Sequence, residues 1–183
     1  TLDLNKGDIV GLVGGNGAGK TTLLRLLCGL YKPSEGHVVF VDDGGVEHPI
    51  HKVRSNLGVV PESTGLYARL TAWENIRYHS RLNNIDDKQA WNRTLRLAKA
   101  LEMEGDLQRQ TRGFSRGMRQ KTALLRALSH DPDILLLDEP TGGLDVTSAQ
   151  RVRDIVRKLG DEGRTVSYST HPQNEAQQVC DRI

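Results

Sequence analysis

One octapeptide limits the fold more than any other stretch of the 183-residue chain: Gly14-Gly15-Asn16-Gly17-Ala18-Gly19-Lys20-Thr21. It lies between Asp8–Val13, an apolar run that reads as a buried strand, and Lys20–Leu30, which reads as a helix. With leucines at 23, 24, 26, 27 and 30, that helix is expected to be apolar over a broad face and well covered. Strand, glycine turn and helix in succession let backbone N–H groups curl inward at a helix N-terminus. Glycine permits the curl and the helix end adds partial positive charge, which suits the segment to phosphate oxygens. The spacing is that of G-x-x-x-x-G-K-[ST], the P-loop. Lys20 brings a full charge to the β- and γ-phosphates, Thr21 offers a hydroxyl to Mg²⁺, and Thr22 continues the cradle into the helix.

The rest of the chain repeats this alternation. His37–Val41 and Leu57–Val60 read as strands, with Asp42–Gly45 a hairpin-like turn. Ile134–Leu137 and Thr165–Ser169 read as strands, Val146–Leu159 and Pro172–Val179 as helices. Between these halves the pattern is helical. Thr71 and Glu74 form a capping box for a helix to Leu82, Asp86 and Asp87 open a second, and Ser115 caps a third that runs to Leu128. The expected fold is α/β, a P-loop NTPase core with a mainly parallel sheet flanked by helices, plus an inserted helical subdomain at about residues 66–130.

Charge and composition narrow the function. With 25 basic and 23 acidic side chains the chain is no polyelectrolyte. It has no run of about 18 apolar residues that could span a membrane. Cys28 and Cys180 lack metal-type spacing and read as reduced thiols of a cytosolic protein. His48 and His51 in a loop are a weak metal pattern, and Trp73 and Trp91 read as packing. The basic stretch Arg109, Arg112, Arg116, Arg119, Lys121 contains one aromatic, Phe114. It reads as a solvated helix face, so no nucleic acid is expected. Both ends read as cut, giving a single domain over 1–183, truncated at each end.

Asp138-Glu139 follows the Ile134–Leu137 strand. An aspartate at that strand end holds the metal in P-loop enzymes, and the adjacent glutamate is placed to accept a proton from attacking water.

Taken together, these segments resemble the ATP-binding-cassette family over essentially the whole chain. Gly113-Phe114-Ser115-Arg116-Gly117-Met118-Arg119-Gln120 is similar to its signature, usually LSGGQ. Asp138-Glu139-Pro140-Thr141-Gly142-Gly143-Leu144-Asp145 is similar to its Walker B plus D-loop, Ser169-Thr170-His171 to its switch histidine, and Pro61-Glu62-Ser63 to its Q-loop. Gly65–Thr71 and Phe114–Met118 look like the branch serving bacterial export, including sodium-export subunits.

The resemblance implies an Mg²⁺-dependent ATPase subunit of a membrane transporter on the cytoplasmic face of the membrane. Its partners would be a membrane-spanning permease, with Tyr67–Asn75 near the docking groove, and a second cassette. Two cassettes would close head to tail, with ATP between one P-loop and the other's Ser115 and Gly117. Glu139 would be the base, Lys20 and His171 the γ-phosphate contacts, Asp138, Thr21 and Glu62 the metal holders, and Asp145 would lie at the seam. Departures are Glu62 for the usual glutamine, Gly15 for a frequent proline, and Phe114, Arg116 and Met118 in the signature. Glu62 is expected to alter Mg²⁺ dependence. The family's adenine-stacking aromatic is expected before the present start, since residues 1–13 contain none. A soluble cassette acting on nucleic acid or ribosomes is the alternative, and a regulatory cassette without turnover a third reading.

Overall fold

The computed structural model describes residues 2–183. Four parallel strands form the sheet in the order β1 (Ile9–Val13), β6 (Thr165–Thr170), β5 (Ile134–Asp138), β4 (Leu57–Val60). A separate antiparallel hairpin pairs β2 (Val39–Val41) with β3 (Glu47–Pro49). Asp42 closes its turn by accepting from the N–H groups of Gly44 and Val46 and pairing with His48. The strand expected at His37 therefore starts two residues later.

Side chains alternate along a strand, so β5 serves two cores. Leu135 and Leu137 face a large apolar cluster with Leu124 and Leu125 of α4 (Arg116–Leu128), Val152 and Val156 of α5 (Val146–Asp161) and Val179 of α6 (Gln173–Val179). Leu136 faces the other way, onto Leu24 and Cys28 beside α1 (Lys20–Leu27), and onto Leu57. Each fully buried leucine contributes about 1.5–3 kcal/mol.

Helix α1 is shorter and less covered than its leucines suggest. It ends at Leu27, where Gly29 takes φ 71° and the Leu30 N–H returns to the Arg25 carbonyl. That turn throws Leu30 off the helical face, leaving it 69% exposed, and only Leu24 within α1 is buried.

In the helical stretch, α2 (Ala72–Leu82) carries the full capping box between Thr71 and Glu74, and Asp86 caps α3 (Asp87–Ala100). Trp73 and Trp91 meet edge to face with centroids 4.9 Å apart. Helix α4 joins this stretch to the sheet by lying against β4. Gly58 permits the approach, because a Cβ there would sit 2.6 Å from the Ala127 carbonyl oxygen. Among the described residues both cysteines are free, Cys28 buried and Cys180 partly so.

Candidate active site

The carboxyl ends of β1, β5 and β6 meet the N-terminus of α1 around an open cleft of about 200 Å³. Asn16 to Thr22, Glu62, Asp138, Glu139 and His171 line it. The cradle depends on glycine. Gly19 takes φ 91° directly before α1, and a Cβ on Gly14 would lie 2.9 Å from that of Ala18. Gly15 has open space around its Cα, so its geometry does not demand glycine. Lys20 Nζ donates to the carbonyls of Gly14 (2.6 Å) and Gly15 (3.3 Å), which holds its charge at the rim of the loop.

Asp138 ends β5 and is buried. Its two oxygens accept from Thr21 Oγ1 and Ser169 Oγ, each at 2.7 Å. The register Asp138↔Ser169 produces the second bond. These bonds satisfy a carboxylate that would be costly to bury bare. Hydroxyl and carboxylate oxygens side by side are the hard donor set that Mg²⁺ takes. Among the described residues no three His, Cys, Asp or Glu side chains cluster as a ready metal site. His48 pairs with Asp42 instead of a metal-type cluster.

Glu139 adopts φ 50°, a left-handed conformation that is strained for a non-glycine residue and common at functional sites. Its backbone is fixed by N–H donation to the Ser169 carbonyl (3.1 Å) and by Gln120 Nε2 donating to its own carbonyl (3.2 Å). Its Oε1 is buried without a hydrogen bond, although His171 Nε2 stands 3.3 Å away. Burial pushes this carboxyl above the usual range. The charges of His171 and Lys20 oppose the shift without cancelling it, and Asp138 adds to it. An ionisable carboxylate on the wall of the cleft, with an oxygen that makes no hydrogen bond, has the chemistry of a general base.

His171 Nδ1 lies 3.3 Å from Lys20 Nζ and 3.0 Å from the Gly14 carbonyl. Lys20 already donates to that carbonyl. Acceptance from Lys20 at Nδ1 is therefore the arrangement that turns an Nε2–H toward Glu139.

Ser115, Gly117 and Asp145 do not line the cleft. Ser115 Oγ caps α4 by accepting from the Met118 N–H, and Asp145 caps α5 by accepting from the Ser148 N–H. Arg116, in place of a usual glycine, lies against the D-loop, where a Cβ on Gly143 would meet its Cδ at 2.6 Å. Phe114 is buried as an apolar anchor. Ser169 and Gln120 hold the acid pair, yet sequence reading gave neither this task. Their position beside the switch histidine and within the signature was the available signal.

The chain matches the ABC transporter family over residues 1–142. It is 43% identical over its whole length to the ABC transporter ATP-binding protein NatA of Bacillus subtilis, spanning 74% of that protein. It is 34% identical to the bacitracin transport ATP-binding protein BcrA of Bacillus licheniformis, spanning only 58% of it. The dimeric post-hydrolysis structure of the ATP-binding cassette MJ0796, bound to ADP and Pi, superposes with a TM-score of 0.86. That match has 28% identity over 97% of this chain and 81% of the other. The comparisons give no support to the nucleic-acid alternative. A P-loop, an acid pair and a switch histidine converging on one cleft, in a chain so matched, place this protein in the ABC transporter family of ATPases.

Proposed function

We propose that the chain is the ATP-hydrolysing subunit of a membrane exporter, acting as a head-to-tail nucleotide-sandwich dimer with a permease, at the cytoplasmic face of the membrane. The observation that carries this is the cleft itself. Lys20, Thr21, Asp138, Glu139 and His171 converge there, while Ser115 and Gly117 stand outside it. A site with a base and a cradle but no signature contact is one half of a composite site. The Nod factor export ATP-binding protein I of Cupriavidus metallidurans, 34% identical to this chain, supports the export direction, and the dimeric cassette supports the pairing. Among the described residues no helix is long and apolar enough to cross a membrane.

The backbone N–H groups of Asn16 to Thr22 bind the phosphates, and Lys20 turns its ammonium from the Gly14 carbonyl to the β- and γ-phosphates. Thr21, Asp138 and Glu62 would hold Mg²⁺, which when bound would supply charge neutralisation. The Glu139 carboxylate accepts the proton of the attacking water. His171 donates to the γ-phosphate, and a partner's copies of Ser115 and Gly117 close over it. Asp145 lies at the seam. Residues of about 66–130 act as the helical subdomain, and the exposed Tyr67 and Tyr78, stacked edge to face at 5.7 Å, mark its permease-facing surface.

Glu139→Gln tests this reading. It should bind ATP with unchanged affinity while turnover falls by about 10²–10⁴. Retained hydrolysis would overturn the assignment.

A further inference from the structure

A largely covered carboxylate outside the cleft joins two segments that flank the chemistry. Glu175 stands in α6, close after His171. Its Oε1 accepts from Thr141 Oγ1 at 2.6 Å and from the Tyr168 hydroxyl at 2.8 Å, and its Oε2 accepts from Thr170 Oγ1 at 2.6 Å. Arg153 of α5 lies 3.6 Å from Oε1, with the two side chains only 14% and 12% exposed. Burial pushes this carboxyl up, but the hydroxyls of Thr141, Thr170 and Tyr168, together with Arg153, more than offset it and leave it below the ordinary range. Hydrogen bonds to an ionised acceptor are roughly twice as strong as neutral ones.

The donors come from separate segments. Thr141 follows the acid pair and begins the D-loop. Thr170 is bonded directly to His171. Neither needs Glu175 to hold its own backbone. Thr170 is already in register with Val13, and the Leu144 N–H already closes its turn on the Thr141 carbonyl. What Glu175 adds is a link between the two segments that local structure does not supply.

We propose that Glu175 is a positioning residue for hydrolysis. It holds the D-loop and the switch histidine in one geometry, so that a displacement of Thr141 is transmitted to His171. This rests on the ATPase reading above, in which the D-loop meets a partner cassette. Closure at the seam would then set the place of His171 in the same chain.

Glu175→Ala would strand the covered Arg153 charge, which makes it a poor probe. Thr141→Val and Thr170→Val each remove one hydroxyl and keep the branched shape. Each should lower kcat roughly fivefold or more while KM for ATP stays within about twofold. The double variant should fall no further than the worse single, because both break the same link. The imidazole ¹⁵N–¹H signals of His171, assigned with His171→Gln and read without nucleotide, should shift in Thr141→Val. Additive kcat losses, or a His171 signal that Thr141→Val leaves in place, overturn the proposal. Absence of ATP turnover in the unaltered chain assayed with its permease overturns the ATPase reading instead, and the His171 signal then decides whether Glu175 links the two segments.

Discussion

Glu139 is where environment and chemistry meet most directly. Burial raises its pKa, and Lys20 and His171 moderate the rise without cancelling it. A base works only when deprotonated, so turnover is lost as pH falls through the raised value. The acid limb of the kcat–pH profile should therefore lie above about 4.3, the ordinary value for glutamate. A limb at or below that value would count against Glu139 as the base. Glu62 offers a second test at this scale. Its side chain lines the cleft and is exposed, so its charge acts through water. One such charge about 4 Å from a divalent ion is worth on the order of 1–2 kcal/mol, so Glu62→Gln should weaken metal affinity roughly fivefold or more. Mn²⁺ binding followed by electron paramagnetic resonance reads this without turnover, and identical titrations of the two forms would remove Glu62 from the metal site.

Helix α4 packs against α2, α3 and β4 and so ties the helical stretch to the sheet. Its N-terminus carries the signature. Near its other end, Arg126 donates to the carbonyls of Thr64 (2.7 Å) and Gly65 (3.2 Å), just beyond Glu62. Beside it, His130 follows α4 and donates through Nε2 to the Leu57 carbonyl, and its ring stands 5.2 Å from that of His79 in α2. Burial, then the charges of His130 and Arg126, hold His79 down at about 4. Burial also lowers His130, with Arg93 acting in the same direction and Asp131 and the Leu57 bond against it. The unfolded chain binds these protons first, near 6.5, so folded stability is lost as pH falls from about 6.5 toward 4. Thermal unfolding should drop by several degrees over that interval, at roughly 2–4 °C per kcal/mol, and His79→Leu should flatten the loss. A melting temperature that ignores pH would refute the buried-pair account. The helices themselves were legible because their caps are local: Thr71, Asp86, Ser115 and Asp145 each bond an N–H two or three residues on. The P-loop was legible for the same reason. Ser169 on Asp138 and the three hydroxyls on Glu175 were not, because strand register and helix docking bring them together across distant sequence. The leucines of α1 misled, since counting them treats Leu30 as part of a helix that Gly29 has already ended.

At the scale of the whole molecule, the cleft contains the P-loop, Glu139 and His171, while Ser115 and Gly117 lie elsewhere on the same chain. Two copies related by a twofold axis can exchange these surfaces, so that each active site draws its cradle from one copy and its signature from the other. This arrangement has a consequence that a self-contained site lacks. Lys20→Ala destroys the cradle of its own chain and leaves its signature intact. Gly117→Asp does the reverse, since a charged side chain there also crowds Leu144, which a Cβ would already approach at 3.1 Å. Alone, each variant forms dimers in which both sites are defective, and neither should hydrolyse ATP. In a mixed dimer the two defects fall in the same site, and the other pairs an intact Gly14–Thr21 loop with an intact Ser115–Gly117 segment. An equal mixture should recover activity, up to about a quarter of the unaltered protein if pairing is random and sites act independently. Mixing in the presence of the intact permease and measuring phosphate release reads the result. A mixture as inactive as its parts would mean that each chain completes its own site.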